Sequence, residues 1–188
     1  SSTQAYGGIH ISASAGTETG LGGTVTHDGV MTSSDYSTGN VIINADRNIN
    51  INGSIDNGAG DYYRGINLTA GDFDTSEFGG NVVFGAASDL YANFSSVRAS
   101  AFGGSETAGN IFQNGGVIWG NYAKLDADGD VSVSGSVGGR YFTELRAGLN
   151  RHANHGGDVV LGASSLINPN MSADSPNGGA LMEAHGGT

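Results

Sequence analysis

The sequence predicts an all-β chain built as a right-handed parallel β-helix with loop insertions. Three observations predict it: a Gly-rich, charge-poor composition, a short strand-and-turn phrase that recurs along the chain, and period-two apolar alternation between its copies. Of 188 residues 34 are Gly and none is Cys, and the charged fraction is 13%, where an average domain has about 25%. Each Gly costs about 1 kcal/mol in a helix relative to Ala, which excludes a helical bundle. Two Pro and the lack of a three-residue Gly period exclude collagen. The 37% apolar content is enough to build a core and excludes disorder throughout.

In chain order, Gly8-Ile9-His10-Ile11 opens as an alternating strand. The first strict copy of the phrase (Gly, then Asn or Asp, then Val or Ile) is Gly39-Asn40-Val41-Ile42-Ile43, followed by the alternation Asn48-Ile49-Asn50-Ile51-Asn52. A turn at Asn57-Gly58-Ala59-Gly60 leads to the looser copy Gly65-Ile66-Asn67-Leu68. Gly80-Asn81-Val82-Val83-Phe84 precedes the strand pattern Asp89 to Phe94, and Gly103-Gly104-Ser105 is the next turn. Gly109-Asn110-Ile111-Phe112 comes next, then Val117-Ile118-Trp119 and Lys124-Leu125-Asp126-Ala127-Asp128. Gly129-Asp130-Val131-Ser132-Val133 and the turn Gly138-Gly139 precede Tyr141 to Ala147, the one helix-compatible stretch and too short to change the class. Gly157-Asp158-Val159-Val160-Leu161 and the looser Gly179-Ala180-Leu181-Met182 close the series.

The five pairs Gly39/Asn40, Gly80/Asn81, Gly109/Asn110, Gly129/Asp130 and Gly157/Asp158 read as one corner of successive coils. Asn there is expected to bond coil to coil through stacked side-chain amides, and Gly and Asn to supply positive-φ corners. The irregular spacing implies a base turn of about 20–25 residues with inserted loops, roughly eight coils in all, and a rod about 40 Å long. Residues 1–188 are expected to form one elongated domain with no separate linker or second domain. The alternative architecture is an antiparallel β-sandwich, of which repeated phrases are not expected.

The net charge is −11 with only seven Lys and Arg, scattered singly. No cationic stripe for a phosphate backbone is available, so nucleic acid is not an expected partner. No apolar run approaches the ~20 residues of a membrane span, so no membrane insertion is expected. Asp126, Asp128 and Asp130 alternate around Gly129 and form the candidate Ca²⁺ site, since that ion takes six to eight oxygens. The residue at loop position twelve is Val137 rather than a bidentate acid. An outward-facing acidic edge is therefore the preferred reading, and no cofactor is expected. Asp72 and Asp74 read in the same way. His152 and His155 have a spacing that suits a shared metal, but a solvated loop is the preferred reading. Arg98, Lys124, Arg140 and Arg146 stand in no phrase with paired acids, so catalysis is not expected and no catalytic residue is assigned. The neighbours Tyr62-Tyr63 and Tyr141-Phe142 should each place one ring outward if they lie in strands, as surface for association or sugar stacking.

The run Gly39-Asn40-Val41-Ile42-Ile43-Asn44-Ala45, then Asn48-Ile49-Asn50-Ile51-Asn52-Gly53-Ser54-Ile55, resembles the repeats of filamentous haemagglutinin-type adhesins of two-partner secretion. The likeness is closest over residues 39–101 and looser over 109–184. It departs from simple family coils in the longer loops at 16–23 and 33–38, and in showing no secretion-directing amino-terminal domain. The resemblance implies an extracellular or cell-surface, non-enzymatic protein with a structural and adhesive role. Open β-helix ends add the expectation of head-to-tail self-association into a filament. The alternatives are a monomeric adhesin module that binds a glycan or cell-surface receptor, and a β-helical polysaccharide lyase or hydrolase.

Overall fold

The computed structural model describes residues 2–5, 8–14, 23–33, 39–58, 65–71, 79–149, 156–167 and 178–186. These form β1 (Ser2–Ala5), β2 (Ile9–Ala13), β3 (Val25–His27), β4 (Val30–Ser33), β5 (Val41–Ala45), β6 (Ile49–Ile51), β7 (Ser54–Asn57), β8 (Ile66–Ala70), β9 (Val82–Phe84), β10 (Asp89–Ala101), β11 (Ile111–Gln113), β12 (Val117–Ala127), β13 (Val131–Val133), β14 (Ser136–Ala147), β15 (Val159–Leu161), β16 (Leu166–Ile167) and β17 (Gly179–Ala184). The described residues contain no helix, and Tyr141 to Ala147 is strand. Every strand pairing among them is parallel, which overturns the antiparallel sandwich.

The strands stack in three columns. The first is the six-stranded sheet β3-β6-β9-β11-β13-β15. The second runs β1-β4-β7-β10-β12-β14-β16, using the first halves of the three long strands. The third consists of β2, β5 and β8, the second halves of β10, β12 and β14, and then β17. Because β10, β12 and β14 pass through both columns, the second and third count as one 11-stranded sheet. After β1 and β2 the chain visits the first, second and third columns in that order six times, from β3 to β17. The described strands make seven levels in the longer columns, beside the roughly eight coils expected. Equivalent corner residues lie from 20 to 33 positions apart, and the corner between the first and second columns is always short. The added length falls at the other two corners.

Period two decides what faces the core. Val25, Ile49, Val82, Ile111 and Val131 align across the first column and are all buried. Ile9, Val41, Ile66 and Val97 do the same in the third. Each such side chain contributes roughly 1.5–3 kcal/mol when removed from water. Four positions further along the third column stands a stack of Ala: Ala13, Ala45, Ala70, Ala101 and Ala127 in register, with Ala147 and Ala184 paired beyond them.

The phrase glycines serve close approach instead of positive φ. A Cβ on Gly80 would overlap the Arg47 carbonyl oxygen and the Gly71 nitrogen, and one on Gly157 would overlap the Gly129 carbonyl oxygen. Among the described residues positive φ is found at Gly71, Gly115, Gly116 and Gly148 instead, at 87°, 154°, 71° and 69°.

Candidate functional site

Four of the five phrase pairs share one corner, and the fifth does not. Backbone N–H groups of Asn81, Asn110, Asp130 and Asp158 donate to the side-chain oxygens of Asn48, Asn81, Asn110 and Asp130, at 2.9, 2.9, 2.7 and 2.9 Å. Each side chain thus accepts from the backbone of the following coil, and only Asn110 Nδ2 adds an amide-to-amide bond, to Asn81 Oδ1 at 3.3 Å. The member above Asn81 is Asn48, not Asn40. Gly39 and Asn40 precede β5 in the third column, where the Asn40 carbonyl accepts from Ile9 N at 2.6 Å. Buried Gly80, Gly109 and Gly129 and half-buried Gly157 let these corners close.

The three carboxylates proposed for Ca²⁺ do not converge. Asp126 lies outward on β12 but is only 4% exposed, and its carboxylate sits 3.1 Å from Lys124 Nζ. Asp128, 1% exposed at the bend after β12, accepts from Gly103 N at 2.9 Å. Asp130 is exposed and serves the corner ladder. The outward acidic edge is therefore corrected at two positions: neighbouring coils cover Asp126 and Asp128, and each carboxylate is engaged separately. Among the described residues no group of three His, Asp or Glu could hold a metal ion. Tyr62, Tyr63, Asp72, Asp74, His152 and His155 lie outside the described residues.

The described surface aromatics gather where the second column bends into the third. Register shifts there: β10 places Asn93, Phe94 and Ser95, and β14 places Arg140 and Tyr141, opposite the single Asn121 of β12. Such bulges break strict alternation. Tyr141 is 38% exposed, and its neighbour Phe142 is half-buried on the outer surface, in register with Tyr122. The rings of Tyr122 and Tyr141 lie 5.7 Å apart at 44°, and the Arg140 guanidinium is 5.6 Å from the Tyr141 ring centre. Phe94 and Tyr91 are each 42% exposed.

Beside these rings is a cleft of about 250 Å³ lined by Arg98, Tyr122, Ala123, Lys124, Phe142 and Glu144. Arg98, Lys124 and Glu144 occupy one outward position on three successive coils. Lys124 Nζ lies 3.2 Å from Glu144 Oε1, whose neighbour Arg146 also reaches Glu183, with separations of 2.6 and 3.0 Å. These pairs are partly buried, and the series neutralises Lys124. Arg98, exposed, has no hydrogen-bond or ion-pair partner among the described residues. Sequence reading counted these basic residues as scattered, because Arg98, Lys124 and Glu144 are neighbours only once the coils are aligned. The spacing of Ala101, Ala127 and Ala147 carries that alignment in the sequence.

No protein-family profile, no curated protein and no solved structure matches this chain. No described helix is long and apolar enough to cross a membrane.

Proposed function

We propose that the three columns are the faces of a right-handed parallel β-helix, and that the chain is a secreted, non-enzymatic structural segment of an extracellular filament or surface fibre with an adhesive role. The observation that carries this reading is the character of the two ends of the stack. Among the described residues β1, β2 and β3 each pair on one side only, and so do β15, β16 and β17. Parallel coils are polar along the axis, so the edge at one end complements the edge at the other: β16 faces β1 and β17 faces β2 of a second copy, while the six-stranded first column leaves one strand level open between β15 and β3. The contact is head-to-tail and leads to a fibre. Leu161 and Met182 hold inward register yet are 43% and 48% exposed. A further coil would cover them. Ile11 and Ala13 would continue the positions of Met182 and Ala184, so the Ala stack would run through the joint. The resemblance of residues 39–101 to haemagglutinin-type repeats supports the same reading.

Electron microscopy beside size-exclusion chromatography tests it. Filaments with an axial repeat near seven strand spacings, about 34 Å, are expected, and Leu161→Lys with Met182→Lys should abolish them by placing charge in the joint. Strictly monomeric protein at high concentration would overturn the assembly.

A further inference from the structure

We propose that the cleft between Arg98 and Phe142 binds a carboxylated sugar, a uronic-acid residue within an oligosaccharide. It is the adhesive part of the reading above that this deepens, by naming a ligand class, and it does not need the fibre.

Two chemistries meet in the cleft. Tyr122 and Phe142 are register partners on adjacent coils, about 4.8 Å apart. Side by side they make an apolar platform that suits the C–H face of a pyranose ring. Two residues along the strand, about 7 Å away, comes the row of Arg98, Lys124 and Glu144. That offset is one sugar ring wide, so a ring stacked on the platform extends its exocyclic group to the row.

The row favours a carboxylate. Lys124 is held between Asp126 and Glu144, and Glu144 also neutralises Arg146. Among the described residues Arg98 is left as the uncompensated charge of the row, positive in a chain whose net charge is −11. Its guanidinium presents a planar fork that accommodates both oxygens of a carboxylate, a bidentate contact that a neutral hydroxyl cannot form. Glu144, 13% exposed at its side chain, stands opposite as an acceptor for ring hydroxyls. The volume of about 250 Å³ suits one sugar residue, with the chain of the polymer continuing over the open sides toward Tyr141. Specificity is thus divided: the rings select a pyranose and Arg98 selects its acid.

Isothermal titration of the whole chain with tetragalacturonate, its fully methyl-esterified form and tetraglutamate tests this. The acid tetramer should bind, with the ester and the peptide each weaker by about tenfold or more. Arg98→Gln should lose affinity for the acid to the level of the ester, and Phe142→Ala should weaken both sugars. Both substitutions lie on the outer surface, and circular dichroism checks their fold. Equal affinity for acid and ester, an unchanged Arg98→Gln, tetraglutamate binding as well as the sugar, or no heat up to about 10 mM would each overturn the proposal. Assembly is read separately by microscopy, so a failure of sugar binding and a failure of fibre formation are distinguishable.

Discussion

Replacing Asn110 by Ala interrupts the corner ladder in its middle. Asn110 Oδ1 accepts the backbone N–H of Asp130 at 2.7 Å, the shortest bond of the series, while its Nδ2 reaches Asn81 Oδ1 at 3.3 Å and the Ala108 carbonyl at 3.5 Å. The longer two contribute little by geometry. The main loss is the acceptor, which leaves the Asp130 amide without its partner. An orphaned buried donor costs about 1–3 kcal/mol. Asp130 itself is exposed, so water reaches part of the gap and the lower half of that range, about 1–2 kcal/mol, is expected. Two comparisons isolate the effect. Asn110→Asp keeps an acceptor oxygen, as Asp130 already shows toward Asp158, and should recover most of the loss. Asp158→Ala removes the last member, which supports no further described coil, and should stay within about 0.5 kcal/mol of the parent. Urea unfolding followed by circular dichroism reads all three, with hydrogen exchange at the Asp130 amide as a local check. The reasoning fails if Asn110→Ala costs no more than Asp158→Ala, or if the Asp substitution is as damaging as Ala.

Leu125→Ala, at a fully buried position of the third column, should cost about 2–5 kcal/mol in the same unfolding assay, because the flanking coils limit collapse around the cavity. Gly80→Ala should destabilise by about 1–3 kcal/mol: the new methyl meets backbone of two other segments, Arg47 and Gly71, neither of which can rotate away. A loss below a few tenths of a kcal/mol would mean that the coils separate more easily than the register implies. Millimolar Ca²⁺ against chelator should leave the melting temperature unchanged, since Asp126, Asp128 and Asp130 are tied to Lys124, Gly103 and Asp158 respectively. A saturable rise in melting temperature would refute that assignment.

What the sequence determined alone was the strand character and the corner chemistry. Alternation in Asn48 to Asn52 or Lys124 to Asp128 is a local property, written residue by residue, and Val or Ile every second position leaves a strand little choice of face. Gly followed by Asn or Asp marked four of the ladder corners because the backbone approach and the side-chain acceptor are both demanded within two residues. What only the tertiary structure decided was alignment between coils. Gly39-Asn40-Val41 and Asn48-Ile49 look like successive parts of one repeat, yet the phrase belongs to the third column and it is Asn48 that heads the ladder. Inserted loops shift each copy by a different number of residues, and the shift is absorbed only where inward side chains meet the coil before. For the same reason Asp126 and Asp128 read as solvent-facing and are buried, and Tyr141 and Phe142 are turned together by a bulge that period two does not encode. Arg98, Lys124 and Glu144 become one surface because parallel strands about 4.8 Å apart bring together residues 26 and 20 positions apart, an alignment that shows in the sequence only through the matching spacing of Ala101, Ala127 and Ala147.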